Sequence, residues 1–414
     1  MNASRAARWA CLSSCALLAF GLGARADDVP PEAVVAIFPF GTGDRTSQIV
    51  LNIAADGTPP CELLIATGSS YSAASGRAIS RLNEALGRIG RVPFSAATAL
   101  QSGWLNLHER IFHQFNDKEC SGVIGGSLLR DYVVDLDFAA KRVRFLDPLK
   151  FATAESTQDP QEAVIPIQMH SDVPSITIEI DRKPVDVFLA TEAFPAVALS
   201  NKSAARIGID TDALPRGLDS KLVGRNTARI RPLEVTTLRI GGLGFESVPG
   251  IVAPHDLYFV GGHASDSGIG YDLISSLRVR IDYARRRLWI RKESSTVRFL
   301  GVDYAVARQV GVLIFPTDLP PLVEVIRVLP GTPAERMGLL PGDIFAPHVD
   351  NGSHLDERQI EALRWGKSCT SSTPIEITEA IRAGEPVRIL RNTEGRYREL
   401  DLQGPTTTTG SVTH

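Results

Sequence analysis

VIGGSLLRDYVVDLDFAAKRVRF, residues 123–145, returns without a gap as GIGYDLISSLRVRIDYARRRLWI, residues 268–290. Ile124 lies over Ile269, Gly125 over Gly270, Leu128 over Leu273 and Val134 over Val279. Asp137 lies over Asp282, Ala139 over Ala284 and Arg142 over Arg287. Upstream, within CELLIATGS (61–69) and DVFLATEAF (186–194), Leu64 to Gly68 (LIATG) lies over Phe188 to Glu192 (FLATE), with Ala66-Thr67 over Ala190-Thr191. A duplicated unit of roughly 120–130 residues is too long for a solenoid repeat. The sequence therefore reads as two homologous lobes.

Each lobe has the same grammar. Val133 to Asp137 and Ile176 to Ile180 alternate as half-buried strands do. Asp137 to Phe145 and Asp282 to Ile290 read as hairpins, turning at Ala139-Ala140-Lys141 and Ala284-Arg285-Arg286. One short helix follows each Ala-Thr pair, over 77–86 in the first lobe and 202–207 in the second. Residues 151–162 (FATAESTQDPQE) are polar and aperiodic and read as a linker. This places lobe one over 31–150 and lobe two over 163–293.

The chain has 414 residues, 43% hydrophobic and 22% charged, with a net charge of −3. That composition can bury sizeable cores and is not that of a disordered chain. The near-neutral charge gives no electrostatic reason to expect nucleic acid as a partner. Past the N-terminus no apolar run reaches the ~20 residues of a membrane span. The N-terminus itself reads as a signal peptide over 1–26: Arg5 and Arg8, an apolar run from Trp9, then Ala24-Arg25-Ala26. Leu12-Ser13-Ser14-Cys15 matches a lipoprotein box, but the apolar run before it is short. The expectation is an exported protein, periplasmic or secreted. Cys11 and Cys15 leave with the leader, so Cys61, Cys120 and Cys369 remain, enough for one internal bridge.

A third unit spans 300–403. The strand Val323 to Val328 leads into LPGTPAERMGLLPGDI (329–344), where Thr332-Pro333 starts a short helix and Gly338 ends it. Ile375 to Arg382 reads as an amphipathic helix, and 386–391 with 396–402 as a closing hairpin. Residues 404–414 read as a disordered Thr-rich tail. This unit resembles a PDZ domain of the bacterial type. The resemblance implies a peptide groove, with Val310-Gly311-Val312-Leu313 as the candidate loop for a ligand's terminal carboxylate.

The two lobes resemble aspartyl proteases of the retropepsin and pepsin type. Leu64-Ile65-Ala66-Thr67-Gly68-Ser69 stands where that family has its Asp-Thr-Gly loop, threaded by Val123-Ile124-Gly125. Phe188-Leu189-Ala190-Thr191-Glu192 repeats it with Ile269-Gly270. The implied fold class is mainly β: a two-lobed pepsin/retropepsin-like acid-protease fold followed by a PDZ-like α+β domain. Thr67 and Thr191 resemble the interlocked threonines bracing the two loops. The resemblance also brings Cys61 and Cys120 close enough for a disulfide, with Cys369 free.

The chemistry departs from the family. Its mechanism needs one aspartate per lobe, sharing a proton, and both positions are alanine here, Ala66 and Ala190. Their methyl groups are expected to face each other across the lobe boundary. Glu192 replaces a glycine at the tight turn, where a side chain is unwelcome. The cleft loops thus comprise Thr67, Gly68, Ser69, Thr191 and Glu192. His108-Glu109-Arg110-Ile111-Phe112 lacks the second histidine of a zinc-protease helix, no Gly-x-Ser-x-Gly elbow occurs, and the cysteines lack metal-ligand spacing. No metal or cofactor is implied. Two readings stand: a catalytically inactive peptide- or protein-binding scaffold, using the inter-lobe cleft or the PDZ-like groove, or an active aspartic endopeptidase.

Overall fold

The computed structural model describes residues 29–41, 49–55, 58–70, 72–74, 78, 121–153, 157, 159–193, 195–215, 218–220, 228–253, 267–299, 301–317, 322–345, 374–393 and 396–403. The leader, Cys120, Cys369, the 77–86 helix beyond Ala78 and the tail lie outside them. Lobe one contains β1 (Val34–Gly41), β2 (Val50–Ala55), β3 (Thr58–Ile65), β4 (Ala73–Ala74), β5 (Ser121–Ile124), helix α1 (Gly126–Leu129), β6 (Val133–Asp137) and β7 (Arg142–Leu146). Lobe two contains β8 (Glu162–Pro166), β9 (Gln168–His170), β10 (Val173–Ile180), β11 (Lys183–Ala190), β12 (Val197–Ser200) and α2 (Asn201–Arg206). It continues with β13 (Leu218–Ser220), β14 (Ala228–Ile240), β15 (Leu243–Ala253), β16 (Ser267–Gly270), α3 (Tyr271–Ile274), β17 (Leu277–Asp282) and β18 (Arg287–Lys292).

In each lobe the strand before the Ala-Thr pair runs parallel to the strand that threads its loop. Ile65 pairs with Ile124 across β3 and β5, and Leu189 with Ile269 across β11 and β16. The crossed loops occur once in each lobe, as the resemblance implies, and the fold is mainly β. The linker region ends at Glu162, where β8 begins, and Phe151 packs into a small cluster under lobe one.

Both predicted hairpins form, by the same device. Asp137 Oδ1 accepts the Ala140 N–H at 2.9 Å and Asp282 Oδ1 accepts the Arg285 N–H at 3.0 Å. Lys141 and Arg286 then take left-handed backbone, φ 50° and 53°, each closing its loop just before the returning strand. The lobes join edge to edge where β6 meets β17 in one ten-stranded sheet, β4-β5-β3-β2-β1-β7-β6-β17-β18-β8.

Asp135 pairs with Arg280 in that junction. They are also repeat counterparts, one position after Val134 and Val279, so the pseudo-two-fold axis passes between them. Identical lobes would place like charges here. Instead Asp135, fully buried, receives Arg144 Nε at 2.6 Å and Arg280 Nε at 3.1 Å, with Arg278 Nε at 3.5 Å. Arg280 also stacks over Trp289, 4.4 Å from the ring centre. Pairing one lobe with its unlike partner is thereby favoured over pairing with a copy of itself.

The third unit has a strand pair β19 (Arg298–Phe299) and β20 (Val302–Asp303), then α4 (Tyr304–Val310), β21 (Val312–Thr317), β22 (Leu322–Val328), α5 (Pro333–Arg336), β23 (Ile344–Phe345), α6 (Pro374–Ala383), β24 (Val387–Thr393) and β25 (Arg396–Leu402). Among the described residues, strands β21 to β25 form one sheet in chain order, with β21 at its edge. Phe299, Val302, Tyr304, Ala307, Leu313 and Ile326 share a buried apolar cluster with Ala198, Ile230, Ile251 and Ala253 of lobe two. The Tyr304 hydroxyl donates to Glu234 at 2.8 Å, and the Gly301 N–H donates to Asp272 at 3.0 Å. The unit is docked on lobe two.

Two predictions follow from this architecture. Removing the Asp135 carboxylate leaves arginines converging on an apolar sheet face, so Asp135→Ala should lower unfolding stability by about 3–5 kcal/mol, measured by denaturant titration. Cys61 is buried and disulfide-bonded. Its neighbour Glu62 pairs with Ser121, the residue after Cys120. Mass spectrometry of unreduced peptides should find Cys61 joined to Cys120, with Cys369 alkylated.

Candidate functional site

The two Ala-Thr loops meet at the lobe boundary through their threonines. Thr67 Oγ1 donates to Leu189 O at 2.8 Å, and Thr191 Oγ1 donates to Ile65 O at 2.6 Å. Each hydroxyl oxygen also accepts the other threonine's backbone N–H, at 3.1 and 3.2 Å. Four hydrogen bonds therefore cross between lobes in a pattern that obeys the repeat. Both threonines are almost fully buried. Each neutral buried bond contributes about 1 kcal/mol net, and orphaning a partner costs about 1–3 kcal/mol, so the set is strongly self-enforcing.

The loops are closed behind the threonines in matching fashion. Ser69 N–H reaches Ala66 O at 3.2 Å, and Ala193 N–H reaches Ala190 O at 3.1 Å. The threading strands fasten them: Gly126 N–H donates to Ser69 O and Tyr271 N–H to Ala193 O, both at 2.7 Å. In lobe one Ser72 Oγ also accepts the Gly125 N–H at 2.9 Å. The structure thus brings together Ala66, Thr67, Gly68 and Ser69 with Ala190, Thr191 and Glu192, as the sequence implies.

The methyl groups of Ala66 and Ala190 fall in separate apolar clusters. Ala66 packs with Leu64 and Val123, while Ala190 packs with Val173 and Phe188, each within its own lobe. Ala190 faces Gly68: a Cβ on Gly68 would stand 3.1 Å from the Ala190 methyl. Glu192 is no conformational misfit. Neither it nor Gly68 has a positive φ, so the turn asks for space and not for glycine's backbone freedom. Finally, Val310 to Leu313 do not form an open carboxylate cradle. Val310 and Val312 lie in the core of the third unit, Leu313 packs towards lobe two, and the Gly311 N–H is spent on Ala307 O at 2.8 Å. A helix C-cap occupies the place, with Gly311 at φ 85° and a side chain there barred by Thr332.

What sequence reasoning missed is the reach of Glu192. Its carboxylate crosses to lobe one and accepts the Gly68 N–H at 3.2 Å. Desolvation by burial pushes its pKa up from 4.5 to about 7, against the lowering effect of hydrogen bonds from the backbone N–H groups of Glu192 and Gly68. Tyr283, the counterpart of Phe138, lies within electrostatic range, and its buried hydroxyl has no hydrogen-bond partner among the described residues. Burial first, and then the negative charges of Glu192 and Asp172, hold that phenol neutral. The signal available in the sequence was the break in the repeat, Glu192 over Gly68. Among the described residues no group of three or more His, Cys, Asp or Glu is arranged to hold a metal.

No protein-family model matches this chain, and no curated protein matches it. Among solved structures, a retropepsin-like aspartic protease from Rickettsia conorii is 21% identical, over 32% of this chain and 90% of that one, with a TM-score of 0.25. Basic 7S globulin from soybean is 11% identical over 64% and 96%, TM-score 0.34. An aspartic proteinase from Irpex lacteus is 14% identical over 63% and 97%, TM-score 0.32.

The raised Glu192 pKa fixes the sign of a pH effect. Between pH 4.5 and 7 the folded chain holds a proton that the unfolded chain has released, so this contribution to stability is full below 4.5 and is lost as pH rises to about 7. Because Glu192 is partly exposed as a residue, the loss is bounded above by roughly 3 kcal/mol. Glu192→Gln keeps an oxygen acceptor and cannot ionise. Its Tm should equal that of wild type near pH 4.5 and exceed it above pH 7, as read by calorimetry across that range.

Proposed function

We propose that this chain is an exported, aspartyl-protease-like scaffold that binds an extended peptide or protein segment without cleaving it. The observation carrying this reading is the pair Ala66 and Ala190 at the base of two intact, threonine-locked loops. An alanine methyl can neither accept the proton of an attacking water nor protonate a carbonyl oxygen. Positioned acid–base groups contribute ~10²–10⁴-fold each, so a site lacking both retains little turnover. The bracing is kept while the chemistry is gone.

A second peptide site belongs to the same proposal. The third unit is read as PDZ-like, and its β21 pairs only with β22 among the described residues. The other side of β21 presents backbone N–H and C=O groups suited to adding a ligand strand. With Gly311 spent on its helix cap, affinity there should rest on strand addition, not on capture of a terminal carboxylate. The leader pattern supports delivery to the periplasm or beyond, and neither a membrane span nor nucleic acid enters the reading.

Purified protein should show no inhibitor-sensitive cleavage of casein-derived peptides from pH 3 to 7. Cleavage abolished by an aspartyl-protease inhibitor, persisting across independent preparations, would overturn the scaffold reading. Ala66→Asp or Ala190→Asp alone should stay inactive. The triple variant with both aspartates and Glu192→Gly should recover trace cleavage, because only then can two carboxylates share a proton.

A further inference from the structure

Glu192 is rooted in lobe two, yet its side chain ends on lobe one. One carboxylate oxygen takes the Gly68 N–H, and the other lies so close to Gly68 that a Cβ there would collide with it. Gly68 follows Thr67, whose hydroxyl is tied to Leu189 O, so it stands at the centre of the lobe boundary. A backbone N–H in this position, between two loops and beside two alanines, is the donor that a ligand oxygen reaching the floor would use. It is already engaged. Glu192 can hold it only because Ala190 and Gly68 are small: any side chain on Gly68 would evict the carboxylate.

We propose that Glu192 is a built-in plug of the inter-lobe site: its carboxylate occupies the Gly68 N–H as a ligand's oxygen would, and a peptide reaching the floor must displace it. This rests on the peptide-cleft reading above. The ligand it admits is an extended segment presenting a carbonyl or hydroxyl oxygen to Gly68, bound in competition with the chain's own carboxylate.

The test compares full-length mature wild type, Glu192→Ala and Glu192→Gln in two measurements. Hydrogen exchange at the backbone of 65–70 should speed up by about tenfold or more in the alanine variant, because Gly68 loses its acceptor. The glutamine variant, which keeps an oxygen at the same reach, should stay near wild type. Calorimetric titration with a statine-containing hexapeptide, whose hydroxyl supplies the oxygen, should show at least about tenfold tighter binding to the alanine variant than to wild type. Should the alanine variant not fold, Glu192→Gly replaces it. Unchanged exchange, or equal affinity for wild type and the alanine variant, would overturn the plug. Faster exchange with no binding to any variant would keep the plug and overturn the peptide-cleft reading instead.

Discussion

Four hydrogen bonds between Thr67 and Thr191 and the backbone of the opposite loop hold the two lobes in register. Everything at the candidate site depends on them. They fix Ala66 and Ala190 at the base of their loops, and they bring Gly68 within reach of Glu192. Because each hydroxyl both donates and accepts, deleting one methyl-bearing side chain would orphan buried groups in both lobes at once. A structure that must keep two halves together gains by concentrating the constraint in buried, mutually satisfied polar groups, where an alternative pairing leaves several of them bare.

The departures from two-fold symmetry carry the specific character of this chain. At the junction of the central sheet, Asp135 and Arg280 are the same position in the repeat with opposite charge. At the site, Glu192 answers Gly68 and Tyr283 answers Phe138. At the threading strands, Gly126 answers Tyr271, and a side chain on Gly126 would collide with the turn at Asp172, itself ion-paired to Arg130 at 2.9 Å. Each break places a large or charged group on one lobe against a small or opposite group on the other. Such complementarity is what a fused pair can evolve and a dimer of identical chains cannot, since there every substitution appears twice.

Much of this was legible from the repeat. The gapless match of 123–145 to 268–290 predicted both hairpins, and their identical Asp-anchored turns explain why the match has no gaps. The crossed loops were implied by the family resemblance, while the Ser200-capped helix and the strand and helix order of the third unit were readable from local pattern. The reach of Glu192 was not, because it depends on which atoms of the other lobe lie opposite, and periodicity is silent about that. Val310 to Leu313 misled because a glycine before a strand serves equally as a ligand loop or a helix cap. Only the helix ahead of it, closing through Gly311 N–H to Ala307 O, separates the two.

The docking of the third unit bears on how the two candidate sites relate. Gly301 donates to Asp272, the second residue of α3; the first, Tyr271, donates to Ala193, next to Glu192. On the far side Leu313, at the start of the open-edged strand β21, packs in the cluster that fastens the unit to lobe two. A continuous set of buried contacts therefore joins the strand edge to the loop carrying Glu192. Contact alone does not make coupling, since coupling needs an element with two arrangements that both sites bias. Among the described residues, the Glu192 side chain is the group proposed to have such a choice, between the Gly68 N–H and release, and any influence of the third unit on it would have to act through the position of its loop.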